Sequence, residues 1–339
     1  MKVLDFYALT QDEQHFWLEQ ISKTKWDAAD FLISIILKEE FYSTLGNDSK
    51  LYLLTLQNEL VCFCTFAEQD CIRDKKLFPW IGFIFTVEKY RGNRYAFDLF
   101  DYIFETERKK QNPAAKIYIA TDHQNLYEKY GFSFLEKRID VWGDECKIYY
   151  KNVVVLPELE TSRLKLKMLT GKHNKDAFKW AGDPIVNKFM IYPLYTNCHD
   201  VKKWLNTLYI EEKQIDYGFF LKDTDELIGS GGIYFHPENN TWAIGYNLRH
   251  DMWNKGLATE AMQKIIEYAC SKYDIKKITG TFATQNIASQ KVMEKLGMTF
   301  AQDTEYSKFD ESQTFKAKIY SNCYKLKISY RFFIMFQNC

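Results

Sequence analysis

The chain has 339 residues, and its 45 Lys and Arg residues balance 45 Asp and Glu residues. Hydrophobic residues make up 46% of it, including 26 Phe and 23 Tyr, which excludes a mainly disordered chain. The neutral charge balance gives no overall attraction to nucleic acid or to an acidic membrane. At about 100–200 residues per domain, this length predicts two domains.

The eight cysteines of the chain contain no CxxC pair, and no His stands at metal-ligand spacing. We therefore expect free thiols in a reducing compartment and no metal site. The opening residues, MKVLDFYALTQDEQ, lack the apolar core of a signal peptide, and no apolar run approaches the roughly 20 residues that span a bilayer. These features predict a cytoplasmic protein without a membrane or nucleic-acid partner.

The first half of the chain predicts an antiparallel hairpin followed by a β–α–β unit. Apolar runs mark the strands, and Phe97, Phe100 and Phe104 have the i, i+3, i+7 spacing of one helix face. Gly131 stands where a helix end needs positive φ. In chain order the predicted elements are strands at 51–57, 60–66 and 80–87, a basic turn at 90–96, a helix, a strand at 116–120 and a short helix at 126–132.

The second half of the chain repeats this plan. A hairpin is predicted where residues 223–226 join two apolar runs, and Met262, Ile265 and Ala269 share one helix face. Gly297 again stands at the end of a short helix. In chain order the predicted elements are strands at 217–223, 227–235 and 242–248, a basic turn at 253–261, a helix, a strand at 276–283 and a short helix at 292–298.

The repetition predicts two tandem domains of one α/β plan, residues 1–155 and 156–339. We expect each domain to contain a mixed, mostly antiparallel, twisted sheet with a central β–α–β unit flanked by helices. The boundary is placed near Pro157, because proline cannot donate to a strand ladder. The tail at 318–339 predicts one or two closing strands, buried in the sheet or in a subunit contact.

At these motifs the chain resembles the GNAT superfamily of N-acetyltransferases, in which a strand, the motif R/Q-x-x-G-x-G/A and a helix form the acyl-CoA site. The second half matches with W-x-x-G-x-A at 253–258, followed by N-x-x-S at 286–289 and EKLG at 294–297. Between residues 159 and 300 this half is similar to the RimJ/RimL-like branch of ribosomal-protein N-acetyltransferases.

The first half resembles the same superfamily between residues 51 and 135. It has R-x-x-R-x-A at 91–96 and TDHQNLYEKYGF at 121–132. Arg94 stands where the family usually has glycine. Its side chain either crowds the approach of a phosphate to the backbone or pairs with that phosphate.

The resemblance implies acetyl-CoA as the cosubstrate. A helix N-terminus suits the pyrophosphate of CoA, because its first N–H groups are unpaired and it has roughly half a positive charge. The family's strand before the turn supplies a backbone N–H to the oxyanion, so Thr86 and Leu248 mark that strand end. The candidate cofactor-binding residues are Thr86, Arg91, Gly92, Asn93, Arg94, Tyr95 and Ala96 in the first half, and Leu248, Trp253, Asn254, Lys255, Gly256, Leu257, Ala258, Thr259 and Asn286 in the second.

Two residues are candidates for the proton donor to the departing CoA thiolate. Aligning the short helices of the two halves sets Tyr127 against Met293 and His123 against Ser289. The resemblance implies that Tyr127 is the general acid of the first half, with packing as the alternative. Met293 cannot donate a proton, so Ser289 is the candidate in the second half, with helix capping or packing as its alternative.

The sequence assigns no general base. Glu260 follows the turn and is expected on a solvated helix face, and His123 is expected on a helix surface. His236 and Glu238 precede the strand at 242–248 and are further candidates. An α-amino group, with a pKa of about 7.7–8.0, needs no strong base.

The chemistry that the resemblance implies is acetyl transfer from acetyl-CoA to a primary amine, either a peptide N-terminus or a small molecule, by a monomer or homodimer. The alternative is a non-catalytic acyl-CoA-binding sensor or scaffold. Arg94, Met293 and the unassigned base favour that alternative, whereas the phosphate turn at 253–258, which has Trp253 in the place of R/Q, favours the enzyme.

Overall fold

The structure is a computed structural model, and it describes residues 1–209 and 213–323. The chain forms two compact units, Met1–Val155 and a second that begins at Leu156. Each unit contains its own sheet, in which most neighbouring strands are antiparallel. The predicted mixed α/β class, with two tandem copies of one plan, is confirmed.

The first unit contains a seven-stranded sheet. Its elements are β1 (Lys2–Asp5), α1 (Gln11–Ser22), α2 (Asp27–Leu37), α3 (Phe41–Leu45), β2 (Lys50–Leu56), β3 (Glu59–Ala67), β4 (Trp80–Thr86), α4 (Ala96–Arg108), β5 (Lys116–Thr121), β6 (Ser133–Ile139) and β7 (Glu145–Asn152). The strand order is β1-β2-β3-β4-β5-β7-β6, and only β4 and β5 pair in parallel.

Helices cover both faces of the central strands of this sheet, which explains why β2 and β3 are nearly continuous apolar runs, whereas β6 is mostly exposed. Leu51 and Leu53 pack with α1 and α2 on one face. Tyr52 and Leu54, the alternate residues of β2, pack with α4 on the other. Helix α1 begins at a capping box, in which Thr10 and Glu13 satisfy each other's backbone N–H groups.

The second unit contains an eight-stranded sheet. Its elements are β8 (Leu159–Glu160), β9 (Leu164–Lys167), α5 (Asn174–Ala181), α6 (Pro184–Asn187), α7 (Cys198–Leu205), β10 (Gln214–Leu221), β11 (Leu227–His236), β12 (Thr241–Leu248), α8 (Leu257–Lys272), β13 (Lys277–Ala283), α9 (Ile287–Lys295), β14 (Thr299–Ser307) and β15 (Thr314–Cys323). The strand order is β14-β15-β13-β12-β11-β10-β9-β8, and only β12 and β13 pair in parallel.

Helix α8 lies across the centre of this sheet. Its Met262 and Ile265 are fully buried, and they pack with the alternate β12 residues Trp242, Ile244 and Leu248. The predicted closing strand is present as β15. The remainder of the predicted tail, residues 324–339, lies outside the described residues.

The predicted short helix that ends at Gly131 is present as a 3-10 helix at Tyr127–Tyr130, and Gly131 has the predicted positive φ, 78°. The equivalent α9 is capped by Asn286, whose side chain accepts from the Ser289 N–H. By the alignment of Tyr127 with Met293, Ala120 stands in the place of that cap and offers no acceptor. Asn125 also adopts a left-handed φ of 56°, which interrupts a helix.

Candidate active site

The parallel strands β12 and β13 separate soon after they begin. Only residues 242–243 pair with residues 278–279, so among the described residues the rest of β12 has no strand on that edge. The N–H of Arg249 donates to a β11 carbonyl at 2.9 Å. Because backbone groups alternate in direction along a strand, the N–H groups of Tyr246 and Leu248 point the other way, into the gap.

A tight turn links β12 to α8. The indole Nε1 of Trp253 donates to the carbonyl of Leu248 at 2.9 Å, which folds the turn back on the strand end. Asn254 and Gly256 both adopt left-handed backbone, with φ of 60° and 75°. In the described part of the chain no side chain caps α8, so the N–H groups of its first turn are available to an anion.

Glu260, in the first turn of α8, is anchored to the segment between β8 and β9. Its Oε1 accepts from Thr161 Oγ1 at 2.6 Å, Ser162 Oγ at 2.9 Å and the Arg163 N–H at 2.9 Å. Its Oε2 lies 2.6 Å from Arg163 Nη2. Arg163 also donates from Nη1 to the carbonyl of Lys255 at 2.9 Å.

These contacts correct the expectation for Glu260. Burial favours the neutral carboxyl, but the hydrogen bonds from Thr161 and Arg163 outweigh it and hold the pKa at about 2. Thr161, Ser162 and the N–H, Nε and Nη2 groups of Arg163 supply five donors to this carboxylate, so no lone pair is left to accept a substrate proton. Glu260 is therefore a structural anchor of the turn and not a solvated residue or a general base.

A cavity of about 520 Å³ opens beside the start of α8. It adjoins the uncapped N-terminus through Gly256, and its charged lining consists of two lysines and three glutamates, with Lys264 Nζ 3.9 Å from Glu267 Oε2. Its lining residues are Glu160, Thr161, Ser162, Gly256, Thr259, Glu260, Gln263, Lys264, Glu267 and Lys295. A Cβ on Gly256 would meet only Arg163 Nη2, at 3.6 Å, so the backbone there can be approached closely.

Ser289 contacts a tyrosine that the sequence analysis missed. The hydroxyl of Tyr246, on the separated part of β12, lies 2.8 Å from Ser289 Oγ and 3.1 Å from its carbonyl oxygen. Burial raises the pKa of Tyr246 to about 12, although its hydrogen bond with Ser289 acts in the opposite direction. The sequence does contain a signal for Tyr246: it stands two residues after Ile244, so the side chains of Ile244 and Tyr246 lie on one face of β12.

Met293 is part of the core. Its side chain is 2% exposed. Its methyl carbon would lie 2.6 Å from a Cβ on Gly280, so the thioether fills the space that this glycine leaves. Asn286 acts as the helix cap described above, which occupies its side-chain oxygen.

The first unit has an equivalent turn. Its parallel strands β4 and β5 pair only at Trp80, and Arg91 Nε donates to the carbonyl of Thr86 at 3.1 Å. Gly92 and Arg94 have left-handed φ values of 80° and 58°. The remaining predicted residues follow in order: Asn93 donates to the Tyr90 carbonyl, Tyr95 precedes α4, and Ala96 begins it.

Tyr127 lies in the core of the first unit. It is 7% exposed, and the rings of Phe100, Phe132 and Tyr149 surround it with centroids 6.1–6.5 Å away. Burial raises its pKa above the usual range. Because His123 precedes the 3-10 helix, His123 and Tyr127 do not share a helix face, and the side chain of His123 is 62% exposed.

The remaining candidate bases lie far from the gap. His236 Nδ1 is 3.1 Å from Glu238 Oε1, in the hairpin between β11 and β12. His236 pairs with Thr241, which lies at one end of β12, whereas Leu248 lies at the other end. Seven residues of strand separate those ends by roughly 20 Å.

Residues 1–209 and 213–323 contain neither a metal-binding cluster nor a membrane-spanning helix. No group of three or more His, Cys, Asp or Glu side chains is arranged to hold a metal ion. No helix there is both long enough and apolar enough to cross a bilayer. The cysteines described in this part of the chain are free thiols.

Comparison with known proteins assigns the family. The sequence model described as "Acetyltransferase (GNAT) domain" matches residues 163–299. The uncharacterized N-acetyltransferase p20 of Bacillus licheniformis is 30% identical over 142 residues, which cover 41% of this chain and 80% of that protein. The uncharacterized N-acetyltransferase YoaA of Bacillus subtilis is 28% identical over 147 residues, 42% of this chain and 83% of its own.

A solved GNAT-family acetyltransferase from Bacillus anthracis is 20% identical and aligns with a TM-score of 0.45, covering 49% of this chain and 98% of its own. The protein p20, which is 30% identical and matches over 80% of its own length, places this chain in its family. The chain belongs to the GNAT family of N-acetyltransferases, whose acetyl donor is acetyl-CoA.

Proposed function

We propose that the second unit transfers an acetyl group from acetyl-CoA to a primary amine, either a peptide N-terminus or a small molecule, by direct attack on the thioester. One observation carries this proposal: the free edge of β12 leads directly to the uncapped N-terminus of α8. A strand edge with unpaired N–H groups suits the amides of the pantetheine arm, and a helix N-terminus suits the pyrophosphate.

In the proposed position, CoA extends from the turn before α8 back along the free edge of β12. The pyrophosphate contacts the turn formed by Trp253, Asn254, Lys255, Gly256, Leu257, Ala258 and Thr259. The nucleotide end occupies the adjacent cavity, where Lys264 and Lys295 offer charge to a phosphate. The arm then lies along the gap, so that the thioester comes close to Tyr246 and Ser289.

The proposed chemistry has three parts. The amine nitrogen bonds to the thioester carbon, the carbonyl oxygen becomes an oxyanion, and the N–H groups of Tyr246 and Leu248 are positioned to donate to it. The carbon–sulfur bond then breaks and CoA leaves as a thiolate. At a pKa of about 12 the Tyr246 phenol stays protonated at neutral pH, so its chain of hydrogen bonds through Ser289 stabilises the thiolate without giving up the proton.

We propose that the first unit binds CoA at its own turn, residues 91–96, without turnover. Its turn has the backbone conformation of the second, which supports binding. Its only predicted acid, Tyr127, is packed among aromatic rings, and the counterpart of α9 there is a four-residue 3-10 helix. A non-catalytic CoA-binding role therefore suits this unit better than a second active site.

The test is calorimetric titration of acetyl-CoA into the whole chain and into two matched variants, Gly256→Glu and Arg94→Glu. Each variant adds a carboxylate at the same position of a turn, where it would repel the pyrophosphate. We expect Gly256→Glu to abolish CoA-thiol release with amine acceptors, and Arg94→Glu to leave it unchanged while removing the second binding event. Equal turnover in Gly256→Glu and wild type, with the fold intact, would reject the position assigned to CoA.

A further inference from the structure

A buried carboxylate lies on the sheet face opposite α8. Along β10, Ile215, Tyr217 and Phe219 face the core beneath α8, so the alternate residue Asp216 faces away from that helix. Asp216 is 5% exposed. In the described chain no cation contacts it, and two neutral groups supply its hydrogen bonds.

The two donors are a phenol and an amide. Tyr234 Oη donates to Asp216 Oδ1 at 2.6 Å, and Gln214 Nε2 donates to Oδ2 at 2.6 Å. A second phenol, Tyr209, donates to the backbone carbonyl of Asp216 at 3.1 Å. Gly232 pairs with Asp216 across the two strands, and a Cβ on Gly232 would lie 2.6 Å from Oδ1. The carboxylate therefore fits only because residue 232 is a glycine.

Tyr234 extends from this carboxylate over the face of β12 at Gly245. A Cβ on Gly245 of β12 would lie 3.4 Å from Tyr234 Cε2 and 4.0 Å from its hydroxyl. The phenol therefore covers β12 beside Tyr246, whose own side chain points to the opposite face and contacts Ser289. A thioester in the gap would have the Tyr246–Ser289 pair on one face and the Tyr234 hydroxyl on the other.

We propose that Tyr234 is the proton acceptor for the attacking amine and that Asp216 is its positioning residue and the final holder of the proton. This inference rests on the acetyl transfer proposed above. As the nitrogen–carbon bond forms, the amine proton passes to Tyr234 Oη, and the phenol proton passes to Asp216 Oδ1. The carbon–sulfur bond breaks, CoA leaves as the thiolate, and Asp216 later returns its proton to solvent.

The surroundings of the pair suit this role. Burial raises the pKa of Asp216 above its usual range, which makes the carboxylate a stronger base than a solvated aspartate. Burial and the neighbouring carboxylate raise the pKa of Tyr234, so that it remains a neutral phenol with lone pairs open to an N–H donor. An uncompensated buried carboxylate also favours acceptors with a positive charge elsewhere in the molecule, so the substrate class is a primary amine that carries a second, cationic group and enters with its attacking nitrogen unprotonated, which leaves one proton for the relay.

The test compares Asp216→Asn, Tyr234→Phe and a control, Tyr217→Phe, in the full chain. Asparagine preserves the acceptor for the Tyr234 hydroxyl but is not basic. Tyr217 donates to the Pro157 carbonyl at 2.7 Å on the other face, so its variant loses a phenol of β10 outside the relay. The acceptors are a short peptide with a free α-amino group, an aliphatic diamine and a neutral aromatic amine.

We expect Asp216→Asn and Tyr234→Phe each to lower kcat by about 10²-fold or more, with the dissociation constant of acetyl-CoA unchanged. Tyr217→Phe should retain the wild-type rate. A purely structural role would instead leave kcat near wild type once the fold is shown to be intact, and that result would overturn the relay alone. If wild type released no CoA thiol with any acceptor, both the relay and the proposed transfer would be rejected. Equal use of the neutral amine would overturn the substrate class.

Discussion

Arg94 and Gly256 occupy equivalent positions of the two turns, and both adopt left-handed backbone, with φ of 58° and 75°. In each turn a side chain three residues earlier donates to the carbonyl of the strand end: Arg91 to Thr86 at 3.1 Å, and Trp253 to Leu248 at 2.9 Å. The turn is therefore shaped by this tether and by the left-handed backbone, and the family's glycine is replaceable where its conformation is kept.

The first prediction concerns the conformational free energy of this position. Gly256→Ala should lower the free energy of unfolding of the second unit by about 1 kcal/mol, because a left-handed residue with a Cβ is strained although space for it is open. Arg94→Gly should leave the stability of the first unit unchanged or raise it slightly. Urea denaturation of both variants measures the two changes. A loss of stability in Arg94→Gly larger than that in Gly256→Ala would contradict this account of the turn.

The second prediction concerns the anchor at Glu260. Glu260→Gln should destabilise the second unit by about 2 kcal/mol at pH 7, because it removes charge-assisted hydrogen bonds from Arg163 and Thr161. The folded pKa of Glu260 lies below its unfolded value, so this contribution is fully present above about pH 4.5 and lost as the pH falls towards 2. Unfolding measured from pH 7 to 2.5 should show the two proteins converging. A difference that stays constant over this range would exclude ionised Glu260 as its source.

The third prediction concerns the leaving group. Tyr246→Phe and Ser289→Ala should each lower kcat for acetyl transfer by roughly 10–10²-fold, because each removes part of the donor chain to the thiolate. Acetyl-CoA affinity should change little. Ser271→Ala serves as control, since Ser271 donates only to the Tyr268 carbonyl within α8, at 2.7 Å. A double variant as slow as either single variant would indicate that the pair acts as one unit.

The fourth prediction concerns Tyr127, for which the resemblance implied an acid. Its surroundings are aromatic, so Tyr127→Phe should leave the acetyl-transfer rate of the whole chain within about 2-fold of wild type. A discontinuous thiol-release assay at saturating acetyl-CoA measures this. A loss of about 10²-fold, with stability preserved, would restore Tyr127 as the acid of an active first unit.

Local patterns predicted the central strands of both sheets, because those strands are buried apolar runs, and they predicted helices α4 and α8 from periodic spacing. They did not predict β6 or β14, whose residues are mostly exposed, or that the short helix ending at Gly131 is a 3-10 helix. They also failed where a contact joins distant segments. Tyr246 and Ser289 are 43 residues apart, and Glu260 lies 97 to 99 residues from the groups that bind it. Such partners are set by strand register and helix packing, which a single sequence does not display.

The contacts of the Arg163 guanidinium affect the rate at which acetyl-CoA associates. They tie the carbonyl of Lys255 and the carboxylate of Glu260 to one guanidinium, so the turn is held in shape before any ligand arrives. A binding loop that needs no ordering loses little conformational entropy on association. We therefore expect acetyl-CoA to associate in a single fast step, without a slow isomerisation. Its affinity should then be governed by its dissociation rate.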